Sequence, residues 1–89
     1  MVEWAVKFSK RAEKDARMLK SAHLDEKAKR IIAVVREDPF GTPPPFEKLR
    51  ADLKGMYSRR INLQHRLVYE VRAEDRAIII FSMYHHYDD

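Results

Sequence analysis

The sequence has no cysteine and only two glycines among its 89 residues. Without cysteine the chain can form neither a disulfide framework nor a thiolate metal site, and it offers no cysteine nucleophile. Two isolated glycines exclude the glycine-rich loops of P-loop and dinucleotide-binding proteins, and neither a nucleophile elbow nor a helical zinc motif occurs. We therefore expect neither a metal nor a cofactor.

Long apolar runs are missing as well. No segment approaches the ~20 apolar residues of a membrane-spanning helix, and the N-terminus lacks the apolar region of a signal peptide. A chain of 89 residues has the size of one small domain, so residues 1–89 are expected to share a single modest core. These absences predict a cytoplasmic protein with no membrane partner.

What the chain does contain is positive charge. Lysine and arginine total 18 against 14 aspartate and glutamate, which gives a net charge of +4. The excess is densest in residues 41–72, where seven basic side chains stand against three acidic ones. A polyanion such as nucleic acid is therefore a candidate partner.

The first half of the chain predicts one strand and two helices. Alternation over Glu3–Phe8 favours a short strand, and Ser9 is a suitable N-cap for the helix that follows. Both helices have apolar stripes at i, i+3 and i+4 spacing. The stripes consist of Ala12, Ala16 and Leu19 in the first helix and Leu24, Ala28, Ile31, Ile32 and Val35 in the second. His23 is expected to cap or connect the helices, and Pro39 to end the second.

A loop and three strands are predicted for the second half. Four prolines and a glycine mark a loop over residues 38–47, with Glu47 at its end. Strand patterns follow over Tyr57–Leu63, His65–Val71 and Ala77–Tyr87. The element order β-α-α-β-β-β predicts an α+β two-layer fold, in which a mostly antiparallel sheet packs against two N-terminal helices.

The first hairpin predicts which side chains share a face of the sheet. Ile61 lies on the apolar face only if the hairpin loop has an odd number of residues, most simply 63–65. Arg60, Asn62 and Arg66 then share the polar face, where two arginines can grip a phosphate with forked donors. A solvated sheet face is the alternative interpretation.

The second hairpin leaves one assignment open. An odd loop places His86 on the face of Arg66, and an even loop places His85 there. Because adjacent strand residues point to opposite faces, the two histidines are not expected to ligate one metal ion together.

The polar residues that remain suffice for acid-base cleavage of RNA, which carries its own nucleophile. A base takes the 2′-OH proton, the 2′-oxygen attacks phosphorus, and an acid protonates the departing 5′-oxygen. Cations stabilise the charge that develops on the phosphorane. Histidine, with an ordinary pKa of about 6.5, is suited to the acid.

The sequence also resembles a known family. The segments PFEKL, GMYSRRI, HRLVYEV and the terminal HY match, in order and approximate spacing, the Txe/YoeB branch of the RelE-like bacterial toxins. The resemblance covers nearly the whole chain, and the block from Gly55 to Tyr69, GMYSRRINLQHRLVY, is its most specific part. It implies the RelE-like fold and a type II toxin that inhibits translation as a ribosome-dependent, metal-independent endoribonuclease cutting mRNA in the A site.

The same resemblance implies roles and partners. The catalytic set that it implies is Glu47 as general base, His86 as general acid with His85 as the alternative, Arg60 and Arg66 as phosphate-stabilising cations, and Tyr87 as an orienting group. The implied partners are mRNA, the 70S ribosome and an antitoxin of the YefM or Phd type. A homodimer is also compatible with the resemblance.

Further basic residues are expected to bind RNA phosphates. They are Lys48, Arg50, Lys54 and Arg59. Strand alternation directs Arg59 away from the face of Arg60, where a structural ion pair is the alternative. The sequence departs from the family pattern at Arg50, where relatives often have lysine, and at Tyr57, which replaces a common tryptophan.

A non-enzymatic basic binding module is the alternative function. A degenerate toxin would use the same basic face to bind antitoxin or nucleic acid. Replacement of Glu47 and His86 with alanine separates the two hypotheses, because a binding module does not need either side chain.

Overall fold

A computed structural model describes residues 3–42, 45–49 and 55–84 of the chain. The elements are β1 (Ala5–Phe8), α1 (Lys10–Ser21), α2 (Asp25–Glu37), β2 (Phe46–Lys48), β3 (Met56–Arg60), β4 (Arg66–Arg72) and β5 (Ala77–Ser82). The strands form one five-stranded sheet in the order β1-β5-β4-β3-β2. The β1–β5 pair is parallel and the other pairs are antiparallel, which confirms the predicted α+β fold.

The core lies between the two helices and one face of the sheet. The helices contribute Ala12, Leu19, Ala28, Ile31 and Val35, and the sheet side contributes Ile61, Leu67, Tyr69, Ile78 and Ile80. Each of these residues is at most 6% exposed, so the helices bury the centre of this face of the sheet. Within the described residues, no helix is both long and apolar enough to cross a membrane.

Two predicted helix boundaries are confirmed. Ser9 caps α1, because its Oγ accepts a hydrogen bond from the backbone N–H of Ala12 at 3.0 Å. Helix α2 ends at Glu37, two residues before Pro39.

The C-terminus of α1 is closed by His23 in the left-handed conformation, with φ of 63°. The N–H of His23 bonds to the carbonyl of Lys20 at 3.1 Å, and the N–H of Leu24 bonds to the carbonyl of Leu19 at 2.8 Å. This double closure is a Schellman motif, in which glycine is usually preferred at the left-handed position. The capping role predicted for His23 is therefore confirmed.

Replacing His23 with glycine is expected to stabilise the protein by about 0.5–1 kcal/mol, because glycine adopts positive φ without a Cβ clash. Urea denaturation measures the free energy of unfolding. The His23→Ala variant keeps the Cβ atom and serves as the control, with no gain expected. A His23→Gly variant less stable than the wild type would contradict this interpretation.

The prediction of a loop reaching residue 47 is wrong at its end. Residues Phe46–Lys48 form strand β2, which pairs antiparallel with β3 at the edge of the sheet. The described residues therefore form four strands after the helices rather than three, and Glu47 lies on a strand. Three residues after a run of prolines are too few to show alternation, and β2 is defined by its pairing with β3.

The first hairpin confirms the predicted faces but not the predicted loop length. Arg60 pairs directly with Arg66, so β3 ends at Arg60 rather than at residue 63, and the loop has five residues, 61–65. Five is odd, as the parity argument requires. Asn62 stabilises the loop by accepting hydrogen bonds from the N–H groups of Gln64 and His65, both at 2.8 Å.

The last strand is shorter than predicted, because β5 ends at Ser82. The β4–β5 connection has four residues, 73–76, and the register then shifts by one residue at Phe81. This bulge reverses the alternation, so the parity of the loop alone does not select one histidine. His85, His86 and Tyr87 lie outside the described residues.

A buried carboxylate anchors the chain beyond β5. Asp15 of α1 is 2% exposed, and its Oδ2 accepts hydrogen bonds from the N–H groups of Met83 at 3.0 Å and Tyr84 at 3.4 Å. Arg11 lies one helical turn earlier, with its Nε 3.8 Å from the same oxygen. Asp15 therefore fixes the backbone that immediately precedes the terminal histidines.

The Asp15→Ala variant is expected to lose about 1.5–3 kcal/mol of folding free energy, because two amide donors lose a charged acceptor. Thermal and urea unfolding measure the loss. Glu13→Ala, at an exposed position of the same helix, is the matched control and should change stability by less than about 0.5 kcal/mol. Equal effects of the two substitutions would contradict the anchoring role.

Candidate functional site

The polar face of the sheet brings together several of the predicted site residues. The β2–β3 register places Glu47 opposite Ser58, and the β3–β4 register places Arg60 opposite Arg66. Because side chains alternate along a strand, all four project from the face that the helices do not cover. The pairing of three neighbouring strands therefore builds this group.

A direct contact joins Glu47 to Arg66. The Nη1 atom of Arg66 donates to Glu47 Oε1 at 2.5 Å and lies 3.4 Å from the hydroxyl of Ser58. The Arg66 side chain is 22% exposed, whereas that of Glu47 is 68% exposed. The guanidinium is thus held against the sheet, and the carboxylate remains open to a ligand.

These residues line a cleft of about 650 Å³, which we call the Glu47 cleft. Its polar lining consists of Lys27, Glu47, Ser58, Arg60, Asn62 and Arg66. Among the described lining residues, three cations therefore face one carboxylate, which makes this lining electropositive. The volume of the cleft falls within the usual range of small-molecule sites, about 300–1,000 Å³.

Arg59 does not belong to this surface, and the prediction that it binds phosphate is wrong. The residue is 1% exposed and points into the core, as strand alternation predicts. Its Nη1 donates to the carbonyl of Gly41 at 2.7 Å and its Nη2 to the carbonyl of Pro39 at 2.8 Å. A buried guanidinium that donates to two backbone carbonyl groups is not accessible to a phosphate.

Aromatic rings enclose the Arg59 side chain. The guanidinium carbon lies 5.3 Å from the ring centre of Phe46 and 5.8 Å from that of Tyr69, and its Nε donates to the Tyr69 hydroxyl at 3.0 Å. Tyr69 in turn donates to the carbonyl of Pro39 at 2.8 Å. Burial raises the pKa of Tyr69 above its ordinary value of 10.0, although Arg59 partly opposes the shift, so the hydroxyl keeps its proton.

Tyr57 joins the same cluster, with its ring centre 5.1 Å from that of Phe40 and 5.8 Å from that of Phe46. The position at which the resemblance leads us to expect tryptophan thus keeps an aromatic side chain, which is half-buried and packs against the core. Since Phe46 immediately precedes Glu47, the cluster connects the 39–41 loop to the strand that carries the carboxylate. Its packing fixes the position of β2.

Of the remaining predicted phosphate-binding residues, Lys48 is the one that the structure describes, and it is not brought to the Glu47 cleft. Lys48 pairs with Tyr57 in the register, so it leaves the sheet on the face opposite to Glu47, where it is exposed. Arg50 and Lys54 lie outside the described residues, as do the terminal histidines and Tyr87. Within the described ranges, no group of three or more His, Asp or Glu side chains is arranged to hold a metal ion.

His65 is a loop residue, as its position in the hairpin suggests. Its ring stacks on that of Tyr84, with centres 4.4 Å apart and an interplanar angle of 20°. Tyr84 is also the residue whose backbone bonds to Asp15. The chain next to the terminal histidines is therefore held by both the helix layer and the hairpin loop.

Two residues of this region, Asp15 and Lys27, were absent from the predicted site. Asp15 lies within the apolar stripe of α1, between Ala12 and Leu19, and a carboxylate in a buried stripe is a usable signal. Lys27 gives no such signal, because it reaches the cleft from the other layer of the fold.

Comparison with known proteins shows a family match over most of the chain. Residues 4–87 match the family model described as the YoeB-like toxin of bacterial type II toxin-antitoxin systems. The chain is 39% identical over 75 residues to Toxin YoeB of Synechocystis, an alignment that covers 84% of this chain and 78% of that protein.

Solved structures have the same fold. The YoeB/ParE toxin from Agrobacterium tumefaciens superposes with a TM-score of 0.85 at 26% identity, covering 93% of this chain and 99% of that one. The Staphylococcus aureus YoeB structures, one in complex with YefM and one a dimer, have TM-scores of 0.79 and 0.80 at 33% and 32% identity. Both cover 94% of this chain and 98% of theirs.

Proposed function

Since this chain belongs to the YoeB-like toxin family of bacterial type II toxin-antitoxin systems, we propose that it is an endoribonuclease that cleaves mRNA in the A site of the translating ribosome. The observation that carries the proposal is the contact between Glu47 and Arg66 in an electropositive cleft. Attack of the 2′-oxygen on phosphorus needs a base to remove the 2′-OH proton and a cation to stabilise the charge on the phosphate.

The reaction uses the nucleophile of the RNA itself. Glu47 takes the proton of a 2′-OH, and the 2′-oxygen forms a bond to the adjacent phosphorus. Arg66 and Arg60 stabilise the added negative charge on the phosphorane oxygens. The bond from phosphorus to the 5′-oxygen then breaks, which leaves a 2′,3′-cyclic phosphate and a 5′-hydroxyl.

Arg66 contacts Glu47 in the free protein and would contact both Glu47 and a phosphate in the complex with RNA. In the free protein it orients the Glu47 carboxylate and is held near Ser58. When a phosphate enters the cleft, it offers the guanidinium a second anionic partner beside the carboxylate. The exposed side of Glu47 then faces the ribose hydroxyl.

The general acid is assigned by resemblance to His86, with His85 as the alternative, and Tyr87 is assigned to orienting the base or the reacting group. Structural support comes from the residues just before them. Asp15 binds the backbone of Met83 and Tyr84, and His65 stacks on Tyr84. A segment anchored in this way offers a rigid mount for an acid that must protonate the leaving 5′-oxygen.

We also propose the partners that follow from this activity. An antitoxin of the YefM or Phd type would neutralise the toxin, as suggested by the relative solved in complex with YefM. The mRNA and the 70S ribosome are the proposed substrate complex, which places the activity in the cytoplasm. A homodimer is proposed by analogy with the relative solved as a dimer.

Induced expression in a bacterial host tests the toxin function. We expect growth arrest with the wild type and normal growth with the double variant Glu47→Ala, Arg66→Ala. Glu37→Ala, which removes an exposed carboxylate at the end of α2, is the matched control and should remain toxic. Unchanged growth and intact polysome-bound mRNA with the folded wild type would contradict the proposal and favour a binding module.

A further inference from the structure

Helix α2 contributes one side chain to the Glu47 cleft. Lys27 lies in the first turn of α2 and lines the cleft together with Arg60 and Arg66. The other polar lining residues come from β2, β3, β4 and the loop after β3. Lys27 is therefore the contribution of the helix layer to a site that the sheet otherwise builds.

The charges of the cleft are unevenly paired. Arg66 is paired with Glu47, whereas neither Lys27 nor Arg60 forms an ion pair with any carboxylate of the described residues. Two like charges thus line one concave surface, and Glu47, the one carboxylate among its described lining residues, is already paired with Arg66. Such a cleft attracts an anion more strongly than an isolated surface lysine does, because the fields of the two cations add.

A nucleic-acid strand fits this charge pattern, because it carries one phosphate per nucleotide. Arg66 and Arg60 have forked donors and are suited to the reacting phosphate, whose charge increases during the reaction. Lysine is a point charge on a flexible stem and is suited to holding a phosphate that does not react. The two kinds of cation in one cleft are therefore suited to binding two different phosphates.

We propose that Lys27 binds a backbone phosphate of the mRNA strand next to the scissile phosphate, as a binding residue rather than a catalytic one. The inference rests on the proposed function of the cleft. Its consequence is that the helix layer sets the position of the strand along the cleft, while the sheet carries the chemistry.

The test measures binding to ribosomes programmed with an mRNA that carries a 2′-O-methyl group at the cleavage position, so that it is not cut. Ribosomes whose mRNA ends before the A-site codon report binding to ribosomal RNA alone. The affinity difference between the two is the contribution of the A-site mRNA. We expect Lys27→Met to reduce the ratio of the two affinities about fivefold. The slope of log affinity against log salt concentration should become shallower by about 0.7.

Lys29→Met is the matched control. Lys29 lies on the same helix but lines a separate groove with Ala16, Ile32 and Met83. It should not change the mRNA contribution. With cleavable mRNA, Lys27→Met should raise KM and leave kcat within about twofold of the wild type, as expected for a phosphate contact that only positions the strand.

Three results would overturn the inference. The first is that Lys27→Met binds as Lys29→Met does. The second is that Lys27→Met weakens binding to both kinds of ribosome equally, which would assign its phosphate to ribosomal RNA. The third is that it lowers kcat and leaves KM unchanged. Failure of the proposed function gives a different result, because the wild type would then cleave no mRNA and bind both kinds of ribosome alike.

Discussion

Replacing Glu47 with glutamine is expected to lower the rate of mRNA cleavage by about 10²- to 10⁴-fold, the usual contribution of a general base. Glutamine keeps the length of the side chain and an oxygen that can accept from Arg66, but it cannot take up the proton of the 2′-OH. Single-turnover cleavage on translating ribosomes measures the rate. The effect should appear in kcat, because the amide still fits the cleft.

The fold should tolerate this change. The Glu47 side chain is 68% exposed, and exposed ion pairs contribute little to stability, at most about 1 kcal/mol. Glu37→Gln removes a comparable exposed carboxylate far from the cleft and should cleave at the wild-type rate. Wild-type cleavage by Glu47→Gln would exclude Glu47 as the base and leave Arg66 without its proposed partner in catalysis.

The second large effect is expected in stability rather than in cleavage. Arg59→Met should lower the free energy of unfolding by about 2–4 kcal/mol, because the carbonyl of Gly41 loses its donor and the stacking against Phe46 is lost. Urea denaturation measures this loss. Arg59→Lys is not expected to rescue it, since one ammonium cannot reach both carbonyls and the Tyr69 hydroxyl in the same geometry.

The neighbouring arginine provides the matched control. Arg60→Met removes the same kind of side chain from the exposed face and should change stability by less than about 0.5 kcal/mol, while slowing cleavage. We thus expect Arg59→Met to lower stability and Arg60→Met to slow cleavage. A stable Arg59→Met variant with weakened RNA binding would restore the phosphate-binding role that the structure contradicts.

Local patterns in the sequence predict most of the fold. The two helices, the Ser9 cap and the capping role of His23 all depend on residues that are close in the chain. Each of these predictions is confirmed. The parity of the first hairpin also places Arg60 and Arg66 on one face correctly. Parity survives the error in loop length, because adding two residues to a loop leaves every side chain on its face.

The errors arise where pairing or packing between distant residues decides the outcome. Strand β2 exists because Phe46–Lys48 pairs with β3, and the bulge at Phe81 follows from the register between β4 and β5. Alternation predicts the direction of Arg59, but not that the carbonyls of the 39–41 loop would bind its guanidinium. Likewise, Lys27 joins the cleft only through the packing of the two layers.

The fold explains how a small chain can present a reactive site on a rigid frame. The helices bury the centre of one face of the sheet, and the other face holds polar side chains whose positions are set by strand pairing. Three strands and the helix layer meet at the Glu47 cleft. Arg59 and the aromatic rings around it hold the edge strand β2 from the helix side of the sheet. This packing also fixes the backbone that carries Glu47 on the opposite face.

The most direct measurement adds purified protein to an active bacterial translation reaction and maps mRNA 5′ ends by primer extension. The wild type is compared with Glu47→Gln, His85→Ala and His86→Ala. We predict discrete cuts within translated codons that disappear with Glu47→Gln and with one of the histidine variants, which identifies the acid. Unchanged mRNA in every reaction, with the wild type shown to be folded, would contradict the nuclease function.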